Sequence, residues 1–304
     1  MLALDQVATD IQKSHELLSQ AAQSLRQSYC SKIAKKPQNI SVCATDGGLL
    51  WHRMHGVDIY LVRAAGVHFR YENSCLKSHD YHPKKSPDSI IEIRNHLDDH
   101  EARVFGSLIR LKSELSCAIE LIEKYDPYML LLDGSVLPLP SDVPRKESAV
   151  YPLYLEVCAL YKKLFSFGRE KLVCGVIKDS RSASFAKSVG LNCSDSVLCS
   201  YLLSEGERTS IMPYSGEVQC FYLKAAENDL PLRVEVVGNK AEQAAEILYS
   251  ISAISENFGY PAVLVEADMC AALDPREMEP IKIMLGKKAK VLPLRRNARP
   301  FRSG

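Results

Sequence analysis

The chain has 304 residues, of which 46% are hydrophobic and 25% are charged, and its formal net charge is +1. This composition is typical of a globular protein and excludes a polycation, although local clusters of basic residues leave a nucleic-acid partner open. No apolar run approaches the ~18 residues of a membrane span, and the N-terminus lacks the basic start and apolar core of a signal peptide. We therefore expect a cytoplasmic protein with no membrane segment.

The ten cysteines are spread along the chain, and no two of them form a CxxC pair. A structural zinc site usually needs such closely spaced pairs. The sequence therefore predicts reduced and mostly buried thiols.

The first predicted elements are a helical segment and two strands. Apolar side chains at helical spacing in residues 4–35 predict an amphipathic helix or a pair of helices. Residues 39–46 and 58–69 are rich in apolar and β-branched residues and predict strands. The glycine pair Gly47 and Gly48 between them is interpreted as a turn, so we expect a hairpin-like start to a sheet.

The middle of the chain alternates between helical and strand patterns. Residues 73–90 are polar and contain two prolines, which predicts a loop. Residues 97–124 have the most regular helical spacing, and YMLLLDGS at 128–135 predicts a strand that is buried on both faces. The later predicted elements are helices at 148–166, 181–188, 195–204, 240–256 and 260–272, and strands at 171–180, 217–225 and 231–238. This order predicts one elaborated mixed α/β domain.

Two aspartates follow apolar strands and suggest a shared site. Asp46 in ATDGG and Asp133 in LLLDGS each precede a glycine, and sites in α/β sheets collect at strand ends. Glu114 lies at the edge of the apolar face of the long helix. Three such carboxylates would suit Mg²⁺ or Mn²⁺. The alternative is structural: an aspartate before glycine often caps a turn, and a helical glutamate is often solvated or paired.

A resemblance extends this interpretation over about residues 40–275. The segments ATDGG, RLKSE, LLLDGS, GVIKDS, RVEVV and GYPAVLVEAD occur in an order and spacing that resemble the NurA family of DNA repair nucleases. The resemblance implies a ribonuclease H-like mixed sheet flanked by helices. It divides the chain into an N-terminal helical extension (1–38), a nuclease domain (39–275) and a basic C-terminal tail (276–304).

The resemblance also implies a set of metal ligands. The family pattern places them at Asp46, Glu114 and Asp133, although Glu120 and Glu123 on the same helix remain alternatives for the helical ligand. Where the family has a histidine after its Tyr-Pro step, this chain has Asp268. A carboxylate at that position would supply a fourth oxygen ligand, and the alternative is an altered site with reduced or lost activity.

Two further residues match the family pattern. Lys178, in a Lys-Asp-Ser step, is expected to contact a phosphate or brace a carboxylate, and an ion pair with Asp179 or another acid is the structural alternative. Tyr260 is expected to position the substrate or a ligand, and a buried core tyrosine is the alternative.

The implied activity is hydrolysis of DNA with Mn²⁺ or Mg²⁺, through two ions about 4 Å apart. The resemblance implies a 5′ to 3′ exonuclease that acts in double-strand break end resection, and single-strand endonuclease activity is left open. It further implies a homodimer and a hexameric HerA-type ATPase partner. The competing hypotheses are a catalytically impaired DNA- or ATPase-binding subunit of the same fold and, with less support because the chain has no GxxxxGK[ST] motif, a phosphotransferase or ATPase.

Two basic clusters are candidates for guiding DNA, since phosphate contacts need lysine or arginine. They consist of His82, Lys84 and Lys85 in the predicted loop, and Lys287, Lys288, Lys290, Arg295, Arg296, Arg299 and Arg302 in the tail. The tail is also a candidate docking arm for the partner, and plain solvent exposure is the alternative for both clusters.

Overall fold

The computed structural model describes residues 2–294. The predicted tail residues Arg295, Arg296, Arg299 and Arg302 lie outside the described residues. The described helices are α1 (Leu2–Tyr29), α2 (Asp99–Tyr125), α3 (Tyr151–Gly168), α4 (Ser184–Ser188), α5 (Asp195–Leu202), α6 (Ala241–Ser252), α7 (Ala262–Ala271) and α8 (Glu279–Lys288), with single 3₁₀ turns at Pro140–Asp142 and Pro275–Met278. None of these helices combines the length and the apolar character that crossing a bilayer requires.

The strands are distributed over the whole described chain. They are β1 (Cys30–Lys32), β2 (Ile40–Met54), β3 (Val57–Glu72), β4 (Cys75–His82), β5 (Ile90–Asn95), β6 (Met129–Asp133), β7 (Leu172–Ile177), β8 (Glu207–Thr209), β9 (Met212–Ser215), β10 (Val218–Lys224), β11 (Leu232–Val237), β12 (Ala253–Ser255) and β13 (Phe258–Gly259).

Eleven of the described strands form one mixed sheet. Its order is β1-β8-β10-β11-β7-β6-β2-β3-β4, with β5 beside β3 and β9 beside β10. The three central strands β7, β6 and β2 are parallel to one another, and antiparallel strands extend the sheet on both sides. The parallel arrangement requires crossover connections, which α2 and α3 provide.

Helices cover both faces of the sheet. On one face α2 and α3 pack their apolar sides, including Leu115 and Leu164, against alternate residues of the central strands such as Leu130 and Leu132. On the other face, α6 and α7 cover Leu131 and its neighbours. The four-residue run Met129–Leu132 is buried because both faces are covered, as its continuous apolar character predicts.

The long helix α2 is defined at both ends by local sequence. Asp98 caps its N-terminus by accepting hydrogen bonds from the backbone of His100 and Glu101, and Glu101 returns a contact to the Asp98 backbone. Asp126 ends the helix in a left-handed conformation. The capping box and the apolar spacing explain why the predicted bounds, 97–124, agree closely with those of the structure.

Two of the predicted local structures are wrong. Gly47 and Gly48 do not form a turn, because β2 continues through them to Met54 and the chain turns at His55 and Gly56, where Gly56 has φ 77°. The predicted loop at 73–90 instead contains β4, which pairs with the edge of β3. Most of β4 is exposed, so its polar composition lacks the alternation that would indicate a strand.

The ends of the described chain also differ from expectation. Residues 4–35 contain one helix followed by the edge strand β1. The predicted apolar positions Val7, Ile11 and Leu17 are exposed, because only the C-terminal half of α1 packs against α5. The first part of the basic tail forms α8, where Lys287 and Lys288 are exposed. The proposed domain boundaries stay a prediction.

All ten cysteines lie within residues 2–294 and are free. Cys43, Cys117, Cys174, Cys199, Cys220 and Cys270 are buried. The burial of six of the ten agrees with the prediction of mostly buried thiols, and their reduced state stays a prediction.

Candidate metal centre

Three carboxylates converge at one edge of the central parallel strands. Asp46 lies within β2, Asp133 ends β6 and Asp268 lies on α7. Each offers an oxygen atom, and these oxygens all lie within 4.8 Å of one another. The parallel register pairs Thr45 with Leu132, so Asp46 and Asp133 are the next residues of adjacent strands. The structure thus brings together three of the predicted metal ligands.

The glycine pair after Asp46 allows helices to approach β2 from both faces. A Cβ added at Gly47 would lie 3.2 Å from Oε2 of Glu114 on α2. A Cβ added at Gly48 would lie only 2.2 Å from the Ala271 carbonyl oxygen at the end of α7. The glycines are therefore needed for close packing, and the packing at Gly48 holds the helix that carries Asp268 against the strand that carries Asp46.

We expect Gly48→Ala to lower the free energy of unfolding by about 1–3 kcal/mol, because the added methyl group meets backbone that cannot rotate away. The displacement of α7 should also weaken divalent-cation binding. The measurements are denaturant unfolding and a Mn²⁺ titration. Gly286→Ala is the matched control, since a Cβ there meets only one atom, at 3.8 Å, within a helix that favours alanine. Equal stability of the two variants would contradict the role of Gly48.

Glu114 lies beside the three-carboxylate group but is not a member of it. Its side chain is buried on α2, and Oε2 accepts a hydrogen bond of 2.9 Å from Arg110. Burial raises the pKa of Glu114 to about 8 against the opposing effect of Arg110, and Asp46 and Asp133 add to the increase. Of the alternatives, Glu120 contacts the His82 ring nitrogen at 2.7 Å and Glu123 forms an ion pair with Lys163. Of these three helical glutamates, Glu114 is thus the one whose pKa is raised by the charges of Asp46 and Asp133.

Lys178 and Tyr260 both bind Asp133. Lys178 Nζ lies 3.0 Å from one carboxylate oxygen, and the Tyr260 hydroxyl donates to the other at 3.0 Å. The ammonium group also lies 4.3 Å from the centre of the Tyr260 ring. Burial and, next, Asp133 raise the pKa of Tyr260, which keeps its hydroxyl protonated and donating. Lys178 thus forms an ion pair with a predicted ligand, and Tyr260, which is buried in the core, donates to the same carboxylate. The roles of both residues in the site stay predictions.

The electrostatics of the cluster suit a divalent cation. Burial, followed by the charges of Asp133 and Asp268, raises the pKa of Asp46 to about 6. Carboxylate oxygens are the ligands that Mg²⁺ and Mn²⁺ prefer, and a bound cation would offset the repulsion among the three acids. The residues present therefore fit the expected metal.

The raised pKa values predict how the metal-free protein responds to pH. The pKa of Asp46 rises from 3.8 to about 6, and that of Glu114 from 4.5 to about 8. The folded state therefore binds more protons than the unfolded state within these windows, so the free energy of unfolding should fall as pH rises through them. Thermal unfolding in chelator should show this fall, and Glu114→Gln should flatten the part between about pH 6 and 8, where only Glu114 contributes. A wild-type profile retained in Glu114→Gln would contradict the assignment.

The side chains of the basic loop cluster all contact acidic residues of the same chain. His82 contacts Glu120, Lys84 contacts Asp88, and Lys85 contacts Glu266. Its role in guiding DNA stays a prediction.

Sequence reasoning missed a buried charged pair near the site. Arg233 and Glu235 alternate within the apolar strand β11, and both side chains point away from solvent. The available signal was the presence of two charged residues between the valines of an apolar strand. Charged side chains are almost never fully buried unless they are paired, so this pattern predicts a pair.

Comparison with known proteins agrees with this architecture. No curated protein sequence matches the chain. Among solved structures, the NurA nuclease from Sulfolobus solfataricus has a TM-score of 0.71 at 18% identity, covering 99% of this chain and 98% of that one. A NurA structure bound to dAMP and manganese has a TM-score of 0.63 at 11% identity, covering 98% of each chain. At such identities these matches establish the fold, the expected mixed sheet flanked by helices with an N-terminal helix.

The match to a protein family covers the same region as the described site. The NurA domain matches residues 40–273, which include β2, β6 and α7 and therefore all three converging carboxylates. This range is well over half of the chain. The chain therefore belongs to the NurA family of nucleases.

Proposed function

We propose that this protein is a Mn²⁺- or Mg²⁺-dependent deoxyribonuclease that degrades DNA in the 5′ to 3′ direction during double-strand break end resection. The observation that carries the proposal is the convergence of Asp46, Asp133 and Asp268 within 4.8 Å. A related structure holds dAMP and manganese, which supports both the metal and the class of substrate. Single-strand endonuclease activity, which the sequence resemblance leaves open, would use the same site.

Asp46, Asp133 and Asp268 would hold the metal, with Glu114 at its buried side. A divalent cation there supplies Lewis acidity for phosphodiester hydrolysis, and two ions are expected. Lys178 is 43% exposed, so its ammonium group is available to a phosphate while it braces Asp133. The Tyr260 hydroxyl keeps the Asp133 carboxylate oriented, which limits the rearrangement needed when substrate binds.

The direct test is cleavage of DNA labelled at either end. Single- and double-stranded substrates are incubated with Mn²⁺, Mg²⁺ or EDTA. Shortening from the 5′ end with a divalent cation, and none in EDTA, is the expected result. Shortening from the 3′ end would overturn the polarity, and no cleavage with any metal would overturn the catalytic proposal.

A catalytically impaired DNA- or ATPase-binding subunit is the second candidate. The observation that favours it is Asp268, which replaces the histidine expected from the family pattern. The two candidates differ in metal binding as well as cleavage: a functional site binds Mn²⁺ through Asp46 and Asp133, whereas an impaired one binds DNA or the partner without it.

We also propose a homodimer and a HerA-type hexameric ATPase partner, both on the basis of family membership. Sedimentation of the protein alone tests the dimer. Co-purification with such an ATPase, with ATP-dependent stimulation of cleavage, tests the partner. The cytoplasmic location stays a prediction.

A further inference from the structure

Glu235 holds the loop that follows Asp133. Its Oε2 accepts a hydrogen bond of 2.6 Å from the Ser135 hydroxyl and one of 3.2 Å from the Val136 backbone amide. The residue is only 1% exposed. The contact joins β11 to a loop 100 residues earlier in the chain, directly beside a candidate metal ligand.

The Glu235 carboxylate is itself fixed on its other side. Its Oε1 accepts a hydrogen bond of 3.1 Å from Arg233 Nε and lies 2.9 Å from Nη2. Arg233 is buried, with its guanidinium 4.4 Å from the centre of the Tyr214 ring. A buried, paired carboxylate is costly to move, because displacement leaves a charge without compensation. The two oxygens therefore have separate partners, one in the sheet and one in the loop.

The backbone of β7 also contacts the loop that follows Asp133. Gly175 is the register partner of Glu235, and the Gly134 amide donates to the Val176 carbonyl at 3.1 Å. A Cβ at Gly175 would lie 2.3 Å from the Gly134 carbonyl oxygen. The loop thus packs against Gly175 of β7, where there is no side chain, and Glu235 contacts the loop from the neighbouring strand β11.

We infer that Glu235 is a positioning residue for the metal centre: by fixing Ser135 and Val136, it sets the orientation of Asp133 toward Asp46 and Asp268. The inference rests on the proposed metal-dependent function. Asp133 is the last residue of its strand, so the following loop positions its backbone, while Lys178 and Tyr260 contact its carboxylate. Groups that orient metal ligands commonly contribute about 10- to 100-fold to metal affinity or activity.

The test compares Ser135→Ala and Glu235→Gln with the matched control Asp195→Asn. Asp195 is also 1% exposed and also accepts a backbone amide and a hydroxyl, from Ala186 and Tyr222, but these contacts hold α4 and α5. The affinity for Mn²⁺ alone is measured by electron paramagnetic resonance of the free ion. Thermal unfolding in chelator and the kinetics of DNA cleavage are measured in parallel.

We expect Glu235→Gln and Ser135→Ala to weaken Mn²⁺ binding by about 10-fold and to lower kcat more than they raise KM. Asp195→Asn should lower thermal stability and leave Mn²⁺ affinity unchanged. Mn²⁺ affinities within about twofold of wild type in Ser135→Ala and Glu235→Gln would overturn the inference. If Glu235→Gln does not fold, Ser135→Ala decides alone.

The experiment separates this inference from the proposed function. If the wild type binds Mn²⁺ and all variants bind it equally well, the result contradicts the role of Glu235 only. A wild-type protein that binds Mn²⁺ without cleaving DNA contradicts the nuclease proposal, and the affinities still test Glu235. A wild-type protein that does not bind Mn²⁺ contradicts both.

Discussion

Asp133→Asn is expected to lower metal-dependent DNA cleavage by more than about 100-fold. Residues that only orient a metal ligand contribute up to about 100-fold, and the loss of a ligand itself should exceed that. Asp133 is central to the site because it shares the carboxylate cluster with Asp46 and Asp268 and also binds Lys178 and Tyr260. The amide keeps the size of the side chain but removes its charge. Mn²⁺ affinity should fall together with the rate.

Asp179→Asn provides the matched control for this prediction. Asp179 is exposed and follows Lys178, so its replacement removes the same charge from the neighbourhood of the site but not from the carboxylate cluster. Cleavage rates and Mn²⁺ affinities are measured for both variants. Equal activity of Asp133→Asn and Asp179→Asn would show that Asp133 serves only the turn that follows β6.

Asp268→Ala and Asp268→His should separate the two interpretations of the residue that departs from the family pattern. Asp268 is exposed on α7 yet contributes an oxygen to the cluster. Alanine removes a ligand, so we expect activity with either metal to fall by more than about 10-fold. Histidine restores a ligand, but imidazole suits Mg²⁺ less well than a carboxylate does. Asp268→His should therefore retain more activity with Mn²⁺ than with Mg²⁺.

The preference of each variant for Mn²⁺ over Mg²⁺ is the deciding measurement, with Met269→Ala as a control on the same exposed surface of α7. Wild-type activity in Asp268→Ala would remove Asp268 from the site. An inactive wild type that gains cleavage in Asp268→His would support the impaired-subunit alternative.

The central elements were predictable because their signals are local. The capping box and apolar spacing of α2, the continuous apolar run of β6 and the apolar, β-branched character of β10 and β11 each lie within a short segment. The edge strand β4 was not predictable in this way, because it is defined by pairing with β3 and not by burying a face. Strand formation at a sheet edge depends on the partner more than on the composition of the segment.

By itself, the sequence determined that Asp46 and Asp133 each follow an apolar run and precede a glycine, and its motif order resembles a family pattern that includes Glu114 and has a histidine at the position of Asp268. Only the tertiary structure decided how these residues meet. It showed that Gly47 and Gly48 continue a strand so that α2 and α7 can approach from opposite faces, and that Glu235 fixes the loop after Asp133. Residues far apart in the chain become neighbours through strand register and helix packing, which short-range patterns do not specify.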